Sequence, residues 1–201
     1  MKKILAVLTI ASALLLTGCS QTNEAATIGG FKISQTELQS SIDAVMAERA
    51  KVDSSQMQLE TGEELNRGQL RFKILMHTFD EIAKELKLEV TPSQLQAQRA
   101  NLINSVGGEA ELPKNLVNAA IALQDFDAYV RARVISDLIS AALIESGVPE
   151  ADVSSRVSEL LNAKSKSLGV TVNPRYGAWN NETGDIVAAN VTGDAVKPSD
   201  K

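Results

Sequence analysis

The chain reads as a mainly α-helical domain, and three features of the sequence predict this. Between residues 35 and 169, apolar side chains return at steps of three and four, the spacing that collects them on one face of a helix. Ser34 and Thr91 stand three residues ahead of Glu37 and Gln94, a helix-start pattern, while Gly107-Gly108, Gly147 and Gly169 punctuate the runs. β-like composition is confined to two short stretches, residues 27–33 and 170–179, at opposite ends of the helical region. Hydrophobic residues make up 44% of the 201, enough for the core of one ordinary domain. The formal net charge is −5, and no Lys/Arg cluster makes a local exception, so nucleic acid is not expected as a partner.

The first element is not part of the domain. Lys2 and Lys3 precede an apolar run from Ile4 to Leu16, too short for an ordinary membrane-spanning helix, and small residues then lead into Cys19, the sole cysteine. Leu16-Thr17-Gly18-Cys19 resembles the bacterial lipobox. That resemblance implies cleavage after residue 18, a diacylglyceryl thioether on Cys19, and a lipid-anchored life on the extracytoplasmic face of the cell membrane or the outer membrane, with Ser20 compatible with outer-membrane sorting. With its one thiol alkylated, the mature protein has no disulfide and depends on its core. Residues 19–27 are small and polar after the cysteine and read as a tether.

A strand is expected over residues 27–33, followed by Ser34-Gln35-Thr36-Glu37 as a capping box. The first helix then buries Leu38, Ile42, Val45 and Met46. Residues 53–62 show no helical face. From about residue 63 to 86, Phe72, Leu75, Met76, Phe79, Ile82, Ala83 and Leu86 define a second helix with one apolar stripe. Thr91-Pro92-Ser93-Gln94 starts a third, whose many Gln, Arg and Asn residues place it at the edge of the fold. Residues 113–147 are the most apolar stretch of the domain; apolar positions more than halfway round imply a central element, with a break near Gln124-Asp125. A last helix from Pro149 uses Val153, Val157, Leu160 and Leu161 and stops at Gly169. Residues 170–179 have a β-like opening, a Pro174-Arg175-Tyr176-Gly177 turn and the single Trp179, and residues 180–201, rich in Asn, Asp, Gly and Thr, read as a flexible tail.

Ile28-Gly29-Gly30-Phe31-Lys32-Ile33-Ser34 before the helices and Asn173-Pro174-Arg175-Tyr176-Gly177-x-Trp179 after them resemble the end segments of the N-terminal domain of SurA/PrsA-like extracytoplasmic chaperones. The resemblance runs from residue 28 to 179. It implies a helical domain in which residues 28–33 and 170–179 meet in a small sheet, with Phe31 and Trp179 buried nearby, and which holds unfolded or partly folded exported polypeptides. The parvulin-type prolyl isomerase domain that usually accompanies it has no counterpart in this chain. Asn173, Pro174, Arg175, Tyr176, Gly177 and Trp179 are expected to shape a turn and cover one end of the core.

Chemistry is otherwise sparse. His77, the sole histidine, lies inside the second helix beside Met76 and Phe79, where a satisfied helix-face residue is expected. No nucleophile elbow, phosphate loop or dinucleotide pattern is present, and the acidic runs at residues 60–64 and 80–85 read as solvated faces. No enzyme, cofactor or metal site is therefore expected. Binding is the class that remains, and Met57 and Leu59, apolar residues in the polar stretch before the second helix, are the candidate client-binding pair. The competing expectation is an envelope structural or interaction lipoprotein that binds one folded partner; a diverged prolyl isomerase is weaker still.

Overall fold

Two glycines fold the start of the domain back on itself. Gly29 and Gly30 both take positive φ, the conformation of a tight hairpin turn, and join β1 (Glu24–Ile28) to β2 (Phe31–Ser34). The computed structural model describes residues 23–188; Cys19 and the expected signal lie outside the described residues, as do residues 189–201. After the hairpin come α1 (Gln35–Arg49), α2 (Gly62–Glu85), α3 (Pro92–Ser105), α4 (Leu112–Asn118), a 3-10 turn at Leu123–Asp125, α5 (Phe126–Glu145) and α6 (Glu150–Leu168). Three short strands end the described residues: β3 (Val170–Val172), β4 (Ala178–Asn180) and β5 (Asp185–Val187). The architecture is mainly helical with small antiparallel sheets.

β1 is the middle strand of the order β2-β1-β3, so it pairs with its sequence neighbour and with the segment after the last helix. Ala26, Thr27 and Ile28 face Val172, Thr171 and Val170. The two ends of the helical region thus meet in one sheet, with two adjustments. The first strand begins at Glu24, inside the stretch read as tether, because Ala25, Ala26 and Ile28 all bury their side chains. The closing segment contributes only residues 170–172 to this sheet. Ala178–Asn180 turns away and pairs with Asp185–Val187 in a second sheet, so the tail reading fails over residues 180–187, where Ile186 is buried in the core.

The helix signals work as local chemistry requires. Ser34 Oγ accepts from the Glu37 N–H at 3.0 Å, but Glu37 turns its carboxylate to Lys73 (3.4 Å) instead of back to the cap. Thr91 and Gln94 form the full reciprocal box. α6 ends at Gly169 in the left-handed conformation, which frees the chain to enter β3.

Three clusters make the core. One lies beneath the sheet and gathers Ile28, Ile33, Leu38, Val45, Leu65, Leu70 and Ile74, with Val172 and Ile186 from the closing strands. The second joins α2, α5 and α6 through Ile82, Ile135, Ile139, Val153 and Val157. The third seats α3 and α4 on the start of α5, through Ile103, Leu112, Leu116, Phe126 and Val130. α5 serves two of them, as its many-sided apolar surface requires, and the chain breaks ahead of it at the 3-10 turn. α3 buries a single residue, Ile103, consistent with an edge position.

Three residues expected to be buried are exposed. Met46 is 50% exposed, because α1 buries Leu38, Ser41, Ile42, Val45 and Arg49, a face on which Met46 falls one position off. Leu86 is exposed as well. Phe31 is 44% exposed: it shares the face of buried Ile33, but at the hairpin tip it passes the edge of the core and lies flat on His77, ring centroids 4.2 Å apart. The buried seam of α2 runs through Leu65, Gln69, Leu70, Ile74, Thr78 and Ile82, and leaves Phe72, Leu75 and Met76 only half-buried.

Candidate functional site

The half-buried face of α2 is one wall of a cleft. Opposite it, the connection from α1 to α2, residues 50–61, crosses the surface without helix or strand and brings Leu59 and Glu60 over Phe72 and Leu75. Arg49, the last residue of α1, and Ala119 and Ala120, which follow α4, complete the enclosure. The volume is about 300 Å³. Leu59, Phe72 and Leu75 belong to none of the three core clusters, so the apolar wall faces the cleft rather than the interior.

Polar contacts fix the frame. Gln69, fully buried, donates from Nε2 to the Ala120 carbonyl, and Ala120 itself has φ of +52°, a left-handed turn that ends the α4 segment over α2. Arg71 donates to Gly184 O at 3.0 Å and lies 3.4 Å from the Asp185 carboxylate, which ties the β4–β5 hairpin to the same helix. Arg49 Nη1 donates to Glu60 O at 2.7 Å and holds the crossing segment down. Burial lowers the Arg49 pKa from its usual value, and the Glu60 carboxylate offsets this in part. A guanidinium nevertheless stays charged at neutral pH. Met46 extends the apolar border, its sulfur 3.7 Å from Arg49 Nη1.

The two candidate client-binding residues separate. Leu59 lines the cleft; Met57, half-buried and hydrogen-bonded through its N–H to Ser54 O, does not. Phe72, Leu75 and Arg49 were missed by sequence reasoning. For Arg49 a signal exists: it continues the Leu38, Ile42, Val45 spacing, so a charge falls on the apolar stripe.

The closing segment shapes the end of the domain. Asn173 donates from Nδ2 to Glu24 O (3.0 Å) and accepts from the Arg175 N–H (3.1 Å), while the Tyr176 N–H returns to Asn173 O. Arg175 reaches Gln35 Oε1 at 3.0 Å rather than an acid. Arg175 and Tyr176 border a wider, mostly polar hollow of about 790 Å³ against α1. Pro174 accepts from Gly177 N at 3.2 Å, and Trp179 packs on the first core cluster.

His77 faces Phe31, and its pKa is lowered mainly by burial, with Glu81 and Asp80 pulling it up and Lys84 down. No set of three or more His, Cys, Asp or Glu side chains among the described residues is grouped to hold a metal ion. No described helix is long and apolar enough to cross a membrane. Compared with known proteins, the chain matches no family model, no curated protein and no solved structure.

Proposed function

We propose that this chain is a lipid-anchored, extracytoplasmic chaperone-like protein that holds unfolded or partly folded exported polypeptides and has no prolyl isomerase activity. The observation that carries the reading is the cleft's apolar wall: Leu59, Phe72 and Leu75 stand outside the core, half-open, beside exposed Met46 and within a polar rim. Such a surface offers weak, sequence-tolerant apolar contacts, and the flexible thioether of Met46 adapts to varied side chains. The resemblance of residues 28–34 and 173–179 to SurA/PrsA-like end segments supports the same class. The resemblance of Leu16-Thr17-Gly18-Cys19 to a lipobox supports the compartment, where passive holding requires no ATP.

Light scattering tests it. Protein made from Ser20 onward is expected to slow aggregation of an unrelated unfolding protein without ATP, and weakly, because transient contacts must offset the ordering of client and cleft. In a proline-limited refolding assay it is expected to leave the rate unchanged. No protection at several-fold molar excess favours the lipoprotein that binds one folded partner, and clear catalysis of refolding overturns both readings. Intact-mass measurement on protein from its native membrane is expected to show loss of residues 1–18 and an added lipid mass on Cys19.

A further inference from the structure

Arg49 carries a buried charge with no ion-pair partner at contact distance among the described residues; the Glu60 carboxylate, on a residue that also lines the cleft, acts on it only from farther away. The residue is 9% exposed, its Nε and Nη2 have no hydrogen-bond partner, and no described carboxylate oxygen lies within ion-pair distance. Only Nη1 is occupied, by Glu60 O at 2.7 Å and more loosely by the Met46 sulfur. Buried donors on a cation are costly to leave unpaired. The two free nitrogens form one edge of the planar guanidinium, from which two N–H bonds project side by side, the complement of a single carboxylate.

The cleft that Arg49 lines supplies the rest of a binding site. Its walls at Leu59, Phe72 and Leu75 suit an apolar side chain, and its other cation, Arg71, is already engaged with Gly184 and Asp185. At about 300 Å³ the space is at the small end of ligand sites, suited to the end of a chain rather than to a chain running through. We propose that the cleft captures the C-terminal residue of a polypeptide, with its carboxylate on the Nε–Nη2 edge of Arg49 and its apolar side chain against Leu59, Phe72 and Leu75. Both nitrogens are closed to solvent at rest, so capture requires a local shift of the Arg49 side chain that opens this edge to the cleft while Leu59 keeps its place. The inference rests on the holding function in taking the occupant to be polypeptide.

Fluorescence anisotropy on the whole chain in detergent tests this with three dye-labelled hexapeptides of one sequence ending in Leu: the free acid, the C-terminal amide, and an amide with Asp next to last. The free acid is expected to bind at least about tenfold more tightly than either amide, the scale of a charge-assisted bidentate contact. Arg49→Met is expected to abolish that preference while keeping a thermal midpoint at or above the wild type, since an apolar side chain replaces an unpaired buried charge. Arg49→Lys keeps the charge without the fork and is expected to lose most of the preference. Equal binding of acid and amide by the wild type overturns the proposal, whatever the variants do. So does an Asp-bearing amide that binds like the free acid, because the carboxylate recognised is then a side chain's. Client protection with no acid preference rejects this site and leaves holding intact; acid preference without protection does the reverse.

Discussion

Asp125 shows how much one side chain at a helix break can carry. It accepts from fully buried Ser41 at 2.7 Å and stands 3.4 Å from Lys73, whose amine also faces Glu37. α1, α2 and the start of α5 are thereby joined by one carboxylate. Asp125→Ala leaves a buried hydroxyl without its acceptor and a mostly buried amine with Glu37 alone, and is expected to cost about 2–3 kcal/mol in urea unfolding. Asp125→Asn keeps an oxygen for Ser41 and is expected to cost less. His77 gives a pH test at the same scale. Its folded-state pKa is held below the ordinary value of about 6.5 mainly by burial, so the unfolded chain binds the proton more readily. Stability from this residue is fully present above that value and is lost as pH falls toward the folded pKa. Unfolding measured from about pH 8 to about pH 5 is expected to show a steeper loss for the wild type than for His77→Gln.

Among the elements, the β4–β5 hairpin was the least legible in the sequence. Residues 180–187 carry the Asn, Asp, Gly and Thr of a loop, and three-residue strands leave no period to detect; only Ile186 and Val187 interrupt the polar run. The hairpin forms because it is held from outside, by Arg71 on α2 and by Asn162 on α6, whose Nδ2 donates to Glu182 O at 3.1 Å. Gly177 lets it close: a Cβ there would lie 2.2 Å from Val187 O, at φ of +120°. Gly177→Ala is expected to destabilise the protein by at least about 2 kcal/mol, and Ile186→Ala, which empties a core position, by about 2–4 kcal/mol; chemical denaturation checks both. The helices were legible because caps and stops are local. The rotation of α2 was not, since Gln69 and Thr78 look like surface residues until their partners are seen: the Ala120 carbonyl for one, Ile74 O and Ser165 for the other. The same rotation moves Phe72 and Leu75 out of the core, so the cleft wall was hidden by the misjudged face.

Over the whole molecule, the mainly helical class and the β character of the two end segments followed from composition and punctuation, which need no knowledge of distant contacts. The meeting of those segments was expected from a family resemblance, and the structure sets its register at Ala26 to Val172. Since Val172 and Ile186 both sit in the cluster beneath the sheet, a chain ending at Gly169 loses two buried aliphatic side chains at about 1.5–3 kcal/mol each, along with every β3 contact. Its thermal midpoint is expected to fall well below that of the whole chain, with loss of cooperative unfolding throughout rather than at one end.

The central place of β1 also sets an order of events in time. A polypeptide emerges N-terminus first, and β1 finds β2 at once across a two-glycine turn. Its other edge then waits, unpaired, until all six helices have been made and Val170–Val172 arrives. Pairing over so long a separation is slow, and an open strand edge invites other chains in the interval. The domain therefore spends its own assembly in a state that resembles the incomplete polypeptides it is proposed to hold.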